Sequence, residues 1–308
     1  MSVIDIHWMG FLSNVDESIL NVPFPEGFEI RFFDFQEGYE HLLSLNKLST
    51  EHEFISNFSM NWKIYNTKEG RMYYLYRKED KNIDFNSEGY LNDLLMYETE
   101  SLYNVSIRYV LSILKILNDG DVRVPYHYSY YEYNNELHSL GTFFTNSHIS
   151  AIPYHFNNED IVTLKKLLEV DDVFKHGYIK LAYDNYEDSF ESSGAILPFL
   201  SLMIAMEVLF NPGQGELTYR ISRNAAVLLG KNLDASNIIF KNMKRLYGIR
   251  SKIVHSSKSD DLNEKDLNCL RKYVRCSILN LIILNKSKKQ VLKKLNMLGF
   301  GGYNSNSY

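Results

Sequence analysis

The sequence predicts an α+β protein, with a mixed α/β region to about residue 157 followed by an all-helical bundle. Three observations carry that expectation. Short β-like runs alternate with helical patterns only before residue 157. Beyond it, apolar residues recur at helical spacing in segment after segment. The charge also divides along the chain. Residues 1–200 hold 15 basic and 31 acidic side chains and residues 201–308 hold 18 and 7, although the whole chain of 308 residues carries only −5. The two parts therefore face different electrostatic partners. The basic part suits nucleic acid, an acidic partner, or the acidic part of the same chain.

In order along the first part, residues 29–33 read as a strand. Residues 62–65 and 72–76 read as two more, joined as a hairpin by 66–70. A helix is expected over 102–117, where Leu102, Val105, Tyr109, Ser112, Ile113 and Ile116 keep helical spacing and Asp119-Gly120 ends it. Residues 126–133 and 137–144 flank Asn134-Asn135 as a second hairpin. The tyrosines between 126 and 133 read as one packed face of a sheet, with base stacking the less favoured use in so acidic a region.

Helices are then expected over 161–170, 172–188, 194–210, 216–229, 235–254 and 261–285. Asn211-Pro212-Gly213 and Gly230 supply stop signals. The apolar run 195–210 is shorter than a bilayer requires and contains Pro198 and Glu207, so it reads as a buried helix and no membrane partner is expected. The division expected is 1–157 as a sensing or regulatory region, 158–290 as the helical domain and 291–308 as a flexible tail ending Gly-rich. The opening MSVIDIHWMG has neither a basic n-region nor a long apolar run, and Cys269 and Cys276 make no disulfide framework, so a cytoplasmic protein is expected. Seven residues apart on one helix, the cysteines are too distant to share a metal. HExxH, P-loop and GxGxxG patterns are absent, so no metal and no cofactor are expected.

The chemistry concentrates in 235–254. With Ile239 at zero and 100° per residue, Met243, Leu246, Ile253 and Val254 form one apolar stripe, and Arg250 falls inside it. A guanidinium there requires a partner or an interface. Two readings stand: an internal ion pair with Glu207, or a charge presented to a ligand. His255 projects to a different side of the wheel and serves either as a helix-end dipole partner or as a catalyst.

The segment Leu246-Tyr247-Gly248-Ile249-Arg250-Ser251-Lys252-Ile253-Val254-His255 resembles the signature of HEPN-domain ribonucleases, an arginine followed at short spacing by a histidine. Met206-Glu207-Val208-Leu209-Phe210 and Glu216-Leu217-Thr218-Tyr219-Arg220-Ile221-Ser222-Arg223 are similar to the ApeA-like subgroup. The resemblance covers about residues 158–290, and Ser256 departs from the glycine that it leads one to expect. It implies metal-independent RNA cleavage by a homodimer, through a composite Arg-x4-His site where two motifs meet. Arg250 would stabilise charge on the scissile phosphate, and His255 would transfer protons to or from the 2′-hydroxyl and the leaving oxygen. Ser251 and Glu207 would support them.

Arg220, Arg223, Lys244, Arg245 and Lys252 are the candidate phosphate-tracking residues, although Arg220 or Arg223 could instead pair with Glu207 or Glu216. The function expected from the resemblance is an endoribonuclease acting on RNA, tRNA-like substrates included. Such a protein fits an anti-phage, abortive-infection effector released by a phage-derived trigger or held by an inhibitory partner. The alternative is a catalytically inactive HEPN module acting as an RNA- or protein-binding scaffold.

Overall fold

The computed structural model describes residues 2–34, 36–38, 40–41, 70–83, 103–133, 136–144, 150, 152–211, 213, 215–256 and 262–301. The chain is α+β, with the strands in its N-terminal part and most of the helices after them. It divides into two compact units, Met1–Glu169 and Val170–Tyr308.

The first unit is built on an antiparallel sheet of five strands among the described residues: β1 (Ser2–Ser13), β2 (Glu29–Asp34), β3 (Arg71–Ile83), β4 (Arg123–Tyr133) and β5 (Glu136–Phe144). Their order is β2-β3-β1-β4-β5. The central strand, β1, was not foreseen from the sequence. Its first half alternates buried Ile4, Ile6 and Trp8 with half-buried Asp5 and His7, and only from Trp8 to Leu12 is it buried on both faces. It pairs His7 with both Lys78 and Tyr130. β4 and β5 form the expected hairpin, Tyr131 opposite His138. The other expected hairpin cannot be followed, because 62–65 and most of its turn lie outside the described residues. β3 pairs instead with β1 and β2. Tyr126 and Tyr128 are buried as sheet packing, and Tyr126 stacks on Phe11.

The helix α1 (Arg108–Leu117) lies within the predicted span and buries Val110, Ile113, Leu114 and Leu117. After it the chain turns at Gly120, which has φ +127° and where a Cβ would stand 2.4 Å from the Pro153 carbonyl oxygen, so only glycine fits. Asp121, next in sequence, is fully buried between Lys115 Nζ at 3.0 Å and Arg123 Nε at 2.7 Å, and accepts from Ser150 Oγ at 3.0 Å. The helix α2 (Ile161–Leu168) packs against α1. The unit boundary thus falls after α2, later than the 157/158 division read from sequence.

The second unit contains α3 (Gly177–Glu191), α4 (Ile196–Phe210), α5 (Leu217–Leu229), α6 (Leu233–Ser256), α7 (Glu264–Leu284) and α8 (Lys288–Met297). The first five match predicted segments, and Gly230 caps α5. That glycine has φ −77°; it is required by space rather than by φ, since a Cβ would meet Ser236 Oγ at 2.0 Å. At the hub, α4 touches α3, α5, α6 and α7, burying Phe199, Leu202, Met203, Met206, Leu209 and Phe210. One of its faces stays open, with Leu197 61% and Ile204 45% exposed. The expected flexible tail from 291 is corrected in part: α8 runs to Met297 and buries Val291 and Leu295 against the bundle, while residues 302–308 lie outside the described residues. Among the described residues no helix is long and apolar enough to cross a membrane.

Candidate functional site

The site grows from the second half of α6. Met243, Leu246 and Ile249 are buried and fix the rotation of the helix, and Arg250 follows beside that stripe. Its guanidinium meets a carboxylate on α4: Arg250 NH2 stands 3.5 Å from Glu207 Oε1. The Tyr247 hydroxyl, one turn earlier on α6, donates to the same oxygen at 3.0 Å, and the guanidinium carbon lies 5.8 Å from the centre of the Tyr247 ring. Burial raises the Tyr247 hydroxyl above its usual range, and the charge of Glu207 and the hydrogen bond to it raise it further. The cluster sits at a rim, with Arg250 27% and Glu207 21% exposed. A phosphate reaching this rim would meet a guanidinium already oriented by a carboxylate.

The ion-pair reading of Arg250 therefore has its geometry in this chain, without closing the residue off from solvent. Tyr247 is the site residue that sequence reasoning left without a role. Its spacing of three from Arg250 was the available signal, since residues three apart share a helix face.

His255 occupies the exposed last turn of α6, which stays helical through Ser256. It stands five positions after Arg250, which is about 7.5 Å of rise and a rotation of about 140°. The two side chains consequently leave one helix on different sides. Ser251 is exposed next to Arg250. Val254 was placed in the core stripe by its wheel angle, yet it is 49% exposed.

The basic residues separate into two groups. Arg223 is engaged within the bundle: its NH1 and NH2 donate to the carbonyls of Leu295 and Leu298 at 3.0 and 2.7 Å, closing the C-terminal end of α8. Among the described residues neither Arg220 nor Arg223 pairs with Glu207 or Glu216; Glu207 pairs with Arg250. Arg245 makes a two-pronged pair with Asp266 of α7, NH1 to Oδ2 at 3.0 Å and NH2 to Oδ1, which holds the Asp266 carboxyl below its usual range. Arg220, Lys244 and Lys252 are exposed, Lys244 lying over the Phe240 ring.

Among the described residues no three His, Cys, Asp or Glu side chains are grouped to hold a metal ion, and Cys269 and Cys276 are free thiols. Compared with models of protein families, with curated proteins and with solved structures, the chain finds no match.

Proposed function

We propose that this chain is a metal-independent endoribonuclease of HEPN type that works as a homodimer through its helical unit. The observation that carries the reading is the setting of Arg250, a partly exposed arginine beside an uncovered apolar face. Glu207, its partner, lies one turn from exposed Ile204 on α4, and Val254 is exposed one turn past Arg250. A helix apolar on all sides, as α4 is, calls for cover on every side. A second copy of this chain supplies it, and a two-fold axis then repeats each motif beside its twin. The divergence of Arg250 and His255 within one helix fits a site that draws these groups from two copies.

In the reaction, the 2′-hydroxyl attacks the adjacent phosphorus and the 5′-oxygen of the next nucleotide leaves. The products are a 2′,3′-cyclic phosphate and a 5′-hydroxyl end. Arg250, lifted from Glu207, holds the phosphoryl oxygens as charge develops. His255 takes the proton of the attacking oxygen or gives one to the leaving oxygen. Ser251 offers a hydrogen bond beside it. Structured RNA such as tRNA is the substrate class, the cytoplasm the place of action and growth arrest on phage infection the biological role. The acidic N-terminal region then acts as sensor or restraint.

The decisive experiment incubates the purified protein with mixed tRNA and messenger RNA in excess chelator and maps the ends formed. Fragments ending in 2′,3′-cyclic phosphate, lost in His255→Ala, are expected. Cleavage unaffected by that change, or abolished by the chelator, overturns the proposal. A second reading, a scaffold that binds RNA or protein without cutting, is favoured by the Arg250–Glu207 pair itself. It predicts a dimer with no cleavage under any of these conditions.

A further inference from the structure

The outer face of α6 exposes Lys241, Lys244, Gly248, Ser251, Lys252 and His255. At 100° per residue these six fall within an arc of about 100°, and from Lys241 to His255 they extend about 21 Å. Two side-chain ties join α7 to α6: the Arg245–Asp266 pair, and Asn242 Nδ2 donating to the Tyr273 hydroxyl at 3.1 Å. Lys265 and Lys272, each next in sequence to one of those tying residues, are exposed on α7 and share a face. Among the described residues no carboxylate pairs with Lys241, Lys244, Lys265 or Lys272, and Asp266 is taken by Arg245. Two acids flank this stretch: Asp234 in the first turn of α6, seven residues before Lys241, and Glu264 next to Lys265 in the first turn of α7.

Gly248 lies on the midline of that arc, inside a helix of 24 residues. Its φ is not positive, and a Cβ there would meet nothing within 4 Å. Neither backbone conformation nor packing asks for glycine, and glycine weakens a helix interior. What it provides is bare backbone in the middle of an exposed, lysine-bearing helix face whose far end carries an imidazole.

We propose that a single RNA strand lies in the groove between α6 and α7, with its sugar–phosphate backbone passing closest at Gly248 and its reacting phosphate directed toward His255. Lys241, Lys244, Lys252, Lys265 and Lys272 neutralise the phosphates. The assignment of RNA rests on the nuclease reading above, whereas the groove itself rests on burial and charge.

The test uses the full chain carrying His255→Ala and a fluorescein-labelled single-stranded RNA of mixed sequence, titrated by anisotropy between about 50 and 200 mM salt. Replacing Lys241, Lys252 and Lys272 together by alanine lowers the slope of log affinity against log salt by about 2. Gly248→Leu, a good helix former, loses affinity while its melting temperature does not fall. An unchanged slope in the triple variant, or an unchanged affinity in Gly248→Leu, overturns the groove. Binding of poly-glutamate with the same dependence on the same lysines overturns it too, in favour of an acidic protein partner. If the triple variant, with His255 restored, cleaves RNA as the parent does, the groove fails and the nuclease stands. If RNA binds through these lysines and is left uncut by the unmutated protein, the nuclease reading fails and the groove stands.

Discussion

Arg250 faces Glu207 across the seam between α6 and α4, 3.5 Å apart, while His255 of the same helix points away from both. The pair is partly solvated, so its loss costs the fold little, about 1 kcal/mol. Arg250→Ala is expected to keep the circular dichroism and urea midpoint of the parent within that margin while losing RNA cleavage. A loss of about 3–5 kcal/mol, the cost of stranding one partner of a buried pair, would instead make Arg250 a structural residue.

Arg223 gives the opposite expectation. Its two hydrogen bonds to the carbonyls of Leu295 and Leu298 hold the end of α8. Arg223→Ala is expected to cost about 1.5–3 kcal/mol, as for hydrogen bonds from a charged donor. The loss should be read first in α8, as faster amide exchange at Val291 and Leu295. RNA affinity should not change; a drop with α8 intact would return Arg223 to the RNA surface.

Two glycines of the same unit separate space from propensity. Gly230→Ala drives a Cβ toward Ser236 Oγ at 2.0 Å and the Ala226 carbonyl at 2.7 Å, and about 1–3 kcal/mol of overpacking is expected. Gly248→Ala, with open space around its Cβ, is expected to stabilise by about 0.5–1 kcal/mol. Urea denaturation of both variants reads the sign directly.

His127 stacks on Trp8 at 5.3 Å, and burial pushes its pKa down to about 3. Unfolded, the imidazole would titrate near its ordinary value of about 6.5. Between those values the unfolded chain binds the proton and the folded chain does not. Stability is therefore full above about pH 6.5 and falls by up to about 1.4 kcal/mol per unit as pH drops toward 3. Thermal melts from neutral pH downward should show that slope in the sheet unit, and His127→Phe should flatten it.

The helices of the second unit were legible because each writes its own period and stop signals; α3 to α7 fell close to where periodicity put them. Boundaries of burial were less so. Val254 has a core angle on the wheel, but an angle carries no information on where the neighbouring helix ends. Arg245 and Arg223 looked like free cations because their partners, Asp266 and two carbonyls, come from distant helices and obey no spacing rule. β1 shows its period only in the short stretch from Ile4 to Trp8, where Asp5 and His7 alternate with apolar residues; the run from Trp8 to Leu12, buried on both faces, has no polar positions to extend it. The Arg250-to-His255 segment was legible as a motif, while Tyr247 drew its place only from α4, which the local sequence does not mention.

The position of β1 also sets a schedule for synthesis. Its apolar residues leave the ribosome first in this unit, yet one pairing strand ends at Ile83 and the other at Tyr133. At about 5–20 residues per second, the stretch from Ser13 to Tyr133 takes roughly 6–24 seconds to make. For that interval Ile4, Trp8, Phe11 and Leu12 travel uncovered on a growing chain, where a chaperone, or a neighbouring nascent copy, can reach them before their own sheet does.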